Sequence, residues 1–234
     1  IRDYIIGNDV LSIDGNALVD SNTIYLFDEN TRSLSNKDFK KQAISPFDDL
    51  TVILQVIHGA DKERPIRVVI STNGGSLIAC KNIIRHLRLH PAGYLVYCNE
   101  AFSAGAMVSI TASEIVMNNY SFLGKIDPIL GGKQQITYHS FYQEERKKNV
   151  TSPVTETDVA IQQSHFSMGT LEKMLVEFVP EYERLAQVIL NNLVYSELSH
   201  ADSFNFREMS EMGFNVRVPQ EGEEKYFDYF QSKQ

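Results

Sequence analysis

Apolar runs alternate with helix-spaced segments through the middle of this chain, and that alternation restricts the fold more than any other feature. Residues 65–70 (P-I-R-V-V-I) are β-branched and read as a strand. Leu77, Cys80, Ile83, Ile84 and Leu87 then recur at helical spacing, and Pro91 closes that helix. Residues 94–98 form the next strand, a short Ala/Ser/Met helix runs to Ser113, and 114–117 form a third strand. Neighbouring parallel strands need a crossover, and helices supply it, so this order points to βαβ units and a parallel sheet.

The flanks are less patterned. Residues 23–27 make a plausible first strand. Ser45-Pro46 reads as an N-cap with proline at the first helical position, opening a helix with Leu50, Ile53, Leu54 and Ile57 that should stop near Gly59. His58, late in that helix, is expected at the surface or facing the helix dipole. His86 and His90 close the following helix, where a cation suits the dipole; a metal pair lacks a third ligand nearby in sequence. Beyond Gly131-Gly132, residues 136–142 alternate as a strand does. Thr155 caps a long helix bearing Leu171, Met174, Leu175 and Phe178, interrupted at Pro180. A second helix carries Leu185, Val188, Ile189 and Leu193, and the two read as packing helices or an oligomer interface. A short helix over 206–212 ends at Gly213. The expected organisation is one domain over 1–219 and an acidic, aromatic tail over 220–234, mobile or docked on a neighbour.

A formal net charge of −8 argues against a nucleic-acid surface, which needs a basic stripe. The two cysteines, Cys80 and Cys98, are too few for a disulfide framework and are not in metal spacing. No apolar run approaches the ~20 residues of a membrane span, and the first residues do not resemble a secretory leader. The expectation is a cytoplasmic protein with no metal and no cofactor.

Chemistry concentrates at two turns. Gly74-Gly75 follows one strand directly, and Ser103 follows its neighbour, at the start of a helix. In a parallel sheet such turns share the C-terminal edge, where ligands bind. Backbone N–H groups of Gly75 and Ala104 could there form an oxyanion hole beside the Ser103 hydroxyl. The plainer reading is a glycine turn and a helix-capping serine, two common structural devices.

The segments S-T-N-G-G-S, A-F-S-A-G-A-M and S-F-L-G-K-I-D-P resemble the Clp/crotonase superfamily. Within it the chain is similar to serine proteases related to the Clp proteolytic subunit and to signal peptide peptidase A, with the serine dehydrogenase proteinase family the closest branch. The resemblance is strong from Arg67 to Leu130 and weaker to Val218. It implies a spiral of ββα units with C-terminal packing helices, assembled into rings or trimers of dimers. It also implies a serine-type endopeptidase acting on peptides or unfolded proteins, with Ser103 as nucleophile and Gly75 and Ala104 as oxyanion donors; it leaves any ATPase or membrane-protein partner open. Asn73 stands where many relatives have proline.

The base is the main departure. Asp127 occupies the place of the Clp histidine, and a carboxylate is a poor base for a serine hydroxyl. The stretch K-N-V-T-S-P resembles the lysine segment of signal peptide peptidase A and points to Lys148, which would need surroundings that bring its pKa to roughly 7–8. A third arrangement sets His200 with Asp127 as a triad of exchanged order. Lys125 and His139 match nothing and are expected at the surface. Two other functions fit the same fold: a crotonase-type acyl-CoA enzyme, for which no basic CoA pocket is evident, and a catalytically degenerate scaffold that binds partners.

Overall fold

The computed structural model describes residues 12–13, 16–17, 22–27, 48–126, 129–130, 136–137, 156–195 and 202–231. Ser12–Ile13 (β1) and Asn16–Ala17 (β2) pair antiparallel. Thr23–Phe27 (β3), Ile66–Thr72 (β4), Tyr94–Ala101 (β5) and Glu114–Gly124 (β6) lie side by side in chain order, each parallel to the next, with Val216–Arg217 (β10) parallel to β6. Ile129–Leu130 (β7) and Ile136–Thr137 (β8) form a separate antiparallel pair, and Ser203–Phe204 (β9) runs antiparallel to the far end of β6.

The crossovers are Asp48–Gly59 (α1), Leu77–Arg88 (α2) and Ala104–Ile110 (α3). Alternation along the strands decides which face each helix covers. Ile24, Leu26, Val68, Ile70, Val96 and Cys98 join Ile53, Ile57, Ile83, Ile84, Leu87 and Met107 in one buried cluster. Tyr25, Val69, Tyr97 and Val116, the residues between, form a second cluster on the opposite face. Glu156–Phe178 (α4) and Tyr182–Val188 (α5) extend the first cluster through Leu171, Met174, Leu175, Phe178 and Leu185. A π-helical segment, Ile189–Val194, follows α5. The break expected at Pro180 is real: Glu181 sits left-handed between the two helices, at φ 52°. No helix among the described residues is long and apolar enough to cross a membrane.

Two strands outrun their sequence signal. β5 continues past Cys98 to Ala101, and β6 past Met117 to Gly124. The register explains why. After Cys98 pairs with Met117, the next pair is Glu100 with Phe122, two steps on β5 against five on β6. Asn118–Ser121 is therefore a bulge. The Asn118 N–H donates to Ser121 Oγ (2.8 Å), that hydroxyl donates to Asn118 Oδ1 (3.1 Å), and the Tyr120 N–H donates to Asn118 Oδ1 (2.8 Å). Polar side chains that look like a strand end satisfy the backbone locally while the strand resumes.

The tail also differs from expectation. Phe206–Glu211 (α6) leads into β10, and Lys225–Gln231 (α7) then packs on the chain's own sheet rather than on a neighbour. Tyr226 lies 4.3 Å from Tyr97, ring centre to ring centre, and Phe227 meets Tyr97 edge-on. Arg217 clasps this closure. It bonds Glu114 at 2.7 Å and Glu223 at 2.5 and 3.0 Å, while the Tyr97 hydroxyl donates to Glu223 at 2.7 Å.

Burial by itself would raise the Glu223 carboxyl. The Arg217 hydrogen bonds, the Gln220 N–H, the Tyr97 hydroxyl and the Arg217 charge together outweigh it and bring the value to about 2. A carboxyl depressed in the folded state contributes stability above its unfolded value, and that contribution is lost as pH falls through about 2. The protection of the α7 amides against hydrogen exchange, corrected for the intrinsic rate, is therefore expected to fall between roughly pH 4.5 and 2, ahead of protection in β4 and β5. Arg217→Met should produce the same local opening at neutral pH and cost about 1–2 kcal/mol in urea melts, since the pair is partly solvated.

Candidate active site

Thr72 and Ala101 are paired, so the chain leaves β4 and β5 at adjacent points on the C-terminal edge of the sheet. From there the two turns are tied together. The Phe102 N–H donates to the Thr72 carbonyl at 2.9 Å, and the Gly74 N–H donates to Thr72 Oγ1 at 3.0 Å. Gly74 has φ 103°, open to glycine and strained for any other residue. A Cβ at Gly74 would lie 2.6 Å from Ser103 Cβ, 2.8 Å from the Phe102 carbonyl oxygen and 2.9 Å from the Ala104 nitrogen. The glycine turn thus lies directly against the Ser103 turn. Gly105 is constrained from the other side, because a methyl there would overlap Thr72 Cγ2.

Ser103 itself has φ 51° and ψ −117°. A non-glycine residue with positive φ is costly, of order 1–3 kcal/mol, and persists only where its surroundings enforce it. Here the Ser103 N–H donates to the Lys125 carbonyl at 2.8 Å, and the Ser103 carbonyl accepts from the Met107 N–H at 3.0 Å. The same sharp strand-to-helix turn lifts a nucleophilic serine clear of the sheet in enzymes that use one. Ser103 occupies the N-cap position of α3, yet its side chain makes no capping hydrogen bond. Ser76 contrasts with it: at the N-cap of α2, its hydroxyl accepts from the Ala79 N–H at 3.4 Å. The capping explanation suits Ser76 and does not suit Ser103.

A profile of the ClpP-like SDH-type serine proteinases matches residues 42–232, most of the chain. The chain belongs to that family. Two uncharacterized proteins of Methanocaldococcus jannaschii are similar to this family member. MJ0137 is 26% identical over 179 residues, covering 74% of this chain and 62% of its own, and MJ1495 is 25% identical over 174 residues, covering 73% and 58%. The chain thus spans about three fifths of the length of these curated relatives. The parallel-rich α/β sheet with its helices fits a ClpP-like fold.

Of the residues singled out in the sequence of this proteinase-family member, the structure brings Gly74, Gly75, Ser103 and Ala104 to one edge of the sheet. Asp127, His139, Lys148 and His200 lie outside the described residues. Lys125 requires a correction: it is not at the surface but 1% exposed. Because β6 runs on through its bulge, Lys125 follows the strand at the point where Ser103 binds it, instead of emerging in a loop. Among the residues whose side chains are described it is the one buried Lys, Arg, Asp or Glu. The thiols play no visible part: burial pushes Cys80 up to about 12, and its Sγ donates to the Ala104 carbonyl at 3.4 Å.

Sequence reasoning passed over Thr72 and Gly105. A glycine within a helical segment is the signal for close backbone approach, and that signal was present at 105. Gly105→Ala is expected to cost roughly 1–3 kcal/mol in chemical melts by overpacking against Thr72. Gly169→Ala, in α4 with open space around the added methyl, should instead stabilise by about 0.5–1 kcal/mol through helix propensity.

Proposed function

We propose that this chain is a serine peptidase in which Ser103 is the nucleophile and the N–H groups of Gly75 and Ala104 receive the oxyanion. The observation that carries the reading is Ser103 itself, held at φ 51° against the glycine turn with its hydroxyl not used as a cap. In the proposed reaction Ser103 Oγ attacks a peptide carbonyl and loses its proton to the base. The carbonyl oxygen takes the negative charge and is met by the two backbone donors. Collapse expels the amine, which takes the proton back, and water then hydrolyses the acyl-enzyme by the same steps.

The base is proposed to come from Lys148, or from His200 oriented by Asp127. The described residues before and after 196–201 both meet the chain at the end of β6. The Leu193 carbonyl, just before the segment, accepts from the Ile126 N–H at 2.9 Å, and Ser203, just after it, pairs with Gly124. These two contacts of described residues are what favours the second arrangement. Lys125 is a third claimant, because it is buried alongside Ser103. The finer architecture, a ββα spiral forming a ring or trimer-based homo-oligomer in the cytoplasm, is proposed on the family's pattern, as are peptides or unfolded proteins as substrates.

A fluorophosphonate probe is expected to label the wild-type chain and not Ser103→Ala. Labelling of the two alike would remove Ser103 from the chemistry; labelling of neither would favour a catalytically degenerate scaffold. With labelling established, Lys148→Met, His200→Gln and Lys125→Met identify the base. Loss of the true base should slow labelling by about 10²–10⁴-fold and abolish its pH dependence, whereas removal of a bystander should leave the profile in place.

A further inference from the structure

His58 lies in the last turn of α1, and His86 lies in the last turn of α2. Their rings meet across the helix pair, with His58 Nε2 and His86 Nδ1 2.9 Å apart. His90 takes no part in this contact. It is 6% exposed, and neither of its ring nitrogens has a hydrogen-bond partner among the described residues. The second histidine beside His86 thus arrives from another helix rather than from the i, i+4 position on its own.

We propose that His58 and His86 form a two-histidine site for a transition-metal dication, favouring the tetragonal ions copper(II) and nickel(II), with water in the remaining positions. The 2.9 Å between the nitrogens is that of their hydrogen bond, and it shows that the two rings are close enough to reach one ion. The choice of ion rests on the ligand chemistry, since the affinity of nitrogen sites rises toward nickel(II) and copper(II). Imidazole suits copper and nickel, while magnesium and calcium demand oxygen ligands that this pair does not offer.

Binding requires a small rotation that turns two lone pairs from each other toward a common point. The ring that donates in the present hydrogen bond moves its proton to its other nitrogen through solvent, so two neutral rings bind without net proton release. Burial, the His58 ring and the Arg85 charge all lower the His86 pKa from its ordinary value, which keeps the neutral, ligating form available near neutral pH. Arg85 also repels a dication, and Glu177 of α4, 3.8 Å from that guanidinium, offsets part of its charge. The pair is exposed to solvent, and no cluster of three or more His, Cys, Asp or Glu able to hold a metal occurs among the described residues. An ion here would fasten α1 to α2, the helix that begins just after the Gly74-Gly75 turn. The inference is independent of the peptidase reading.

The test uses untagged, EDTA-treated chain titrated with nickel(II) or copper(II) chloride, followed by calorimetry and thermal melting, with magnesium chloride in parallel. The wild type should show binding and a rise in melting temperature with nickel or copper and none with magnesium. His58→Gln and His86→Gln should each weaken binding roughly tenfold or more. Circular dichroism in EDTA should show these surface variants folded as the wild type is. A folded variant that binds as tightly as wild type, a wild type that does not respond to nickel or copper, or an equal response to magnesium would each overturn the proposal.

Discussion

Thr72 holds the candidate site together with three different parts of one small residue. Its carbonyl accepts the Phe102 N–H, its hydroxyl accepts the Gly74 N–H, and its methyl occupies the space that a side chain at Gly105 would need. Through these contacts the end of one strand fixes two loops from neighbouring strands. Alanine would keep the carbonyl and lose the other two contacts, while valine would fill the space and leave the Gly74 N–H without its acceptor. The site therefore depends on a residue that need not touch substrate.

The same economy appears in how strain is placed. Ser103 carries an unfavourable backbone conformation and is held there by ordinary hydrogen bonds at its two ends, one to Lys125 and one from Met107. Every residue of α3, the helix that Ser103 begins, is buried, which holds the strained residue in place. Ser76, with the same residue type in the same kind of position, spends its hydroxyl on the helix it begins. Position at a helix start does not separate these two serines; backbone conformation and hydroxyl partners do.

Much of this arrangement was legible in the sequence, for identifiable reasons. The apolar runs at 66–70 and 94–98 are buried on alternating faces, so they report their strands and their order directly. The glycine turn after β4 reports a close backbone approach, because a side chain at Gly74 would not fit against Ser103. What stayed hidden was non-local. The strand read over 114–117 stops short at Asn118–Ser121, since nothing in that composition distinguishes a bulge with self-satisfied polar groups from a strand terminus. Lys125 looked like a surface residue because the lysine alone does not disclose that strands continue on either side of it. His58 and His86 looked unrelated because their contact forms only when α1 packs on α2. The tail's burial likewise depends on a tyrosine far upstream.

That last contact has a consequence for the order in which the molecule can complete itself. The four long strands join the sheet in the sequence in which they leave the ribosome, so most of the main layer can assemble from neighbours already made. Tyr97 is the exception: its hydroxyl finds its acceptor only at Glu223, 126 residues later. Until α7 emerges, Tyr97, Val69 and Val116 lack the cover that Tyr226 and Phe227 supply, and a nascent protein presents that part of the face to whatever is nearby. Helix α7 acts as a closing seam, and the interval before it is sewn leaves this face open to a holdase or to misassociation.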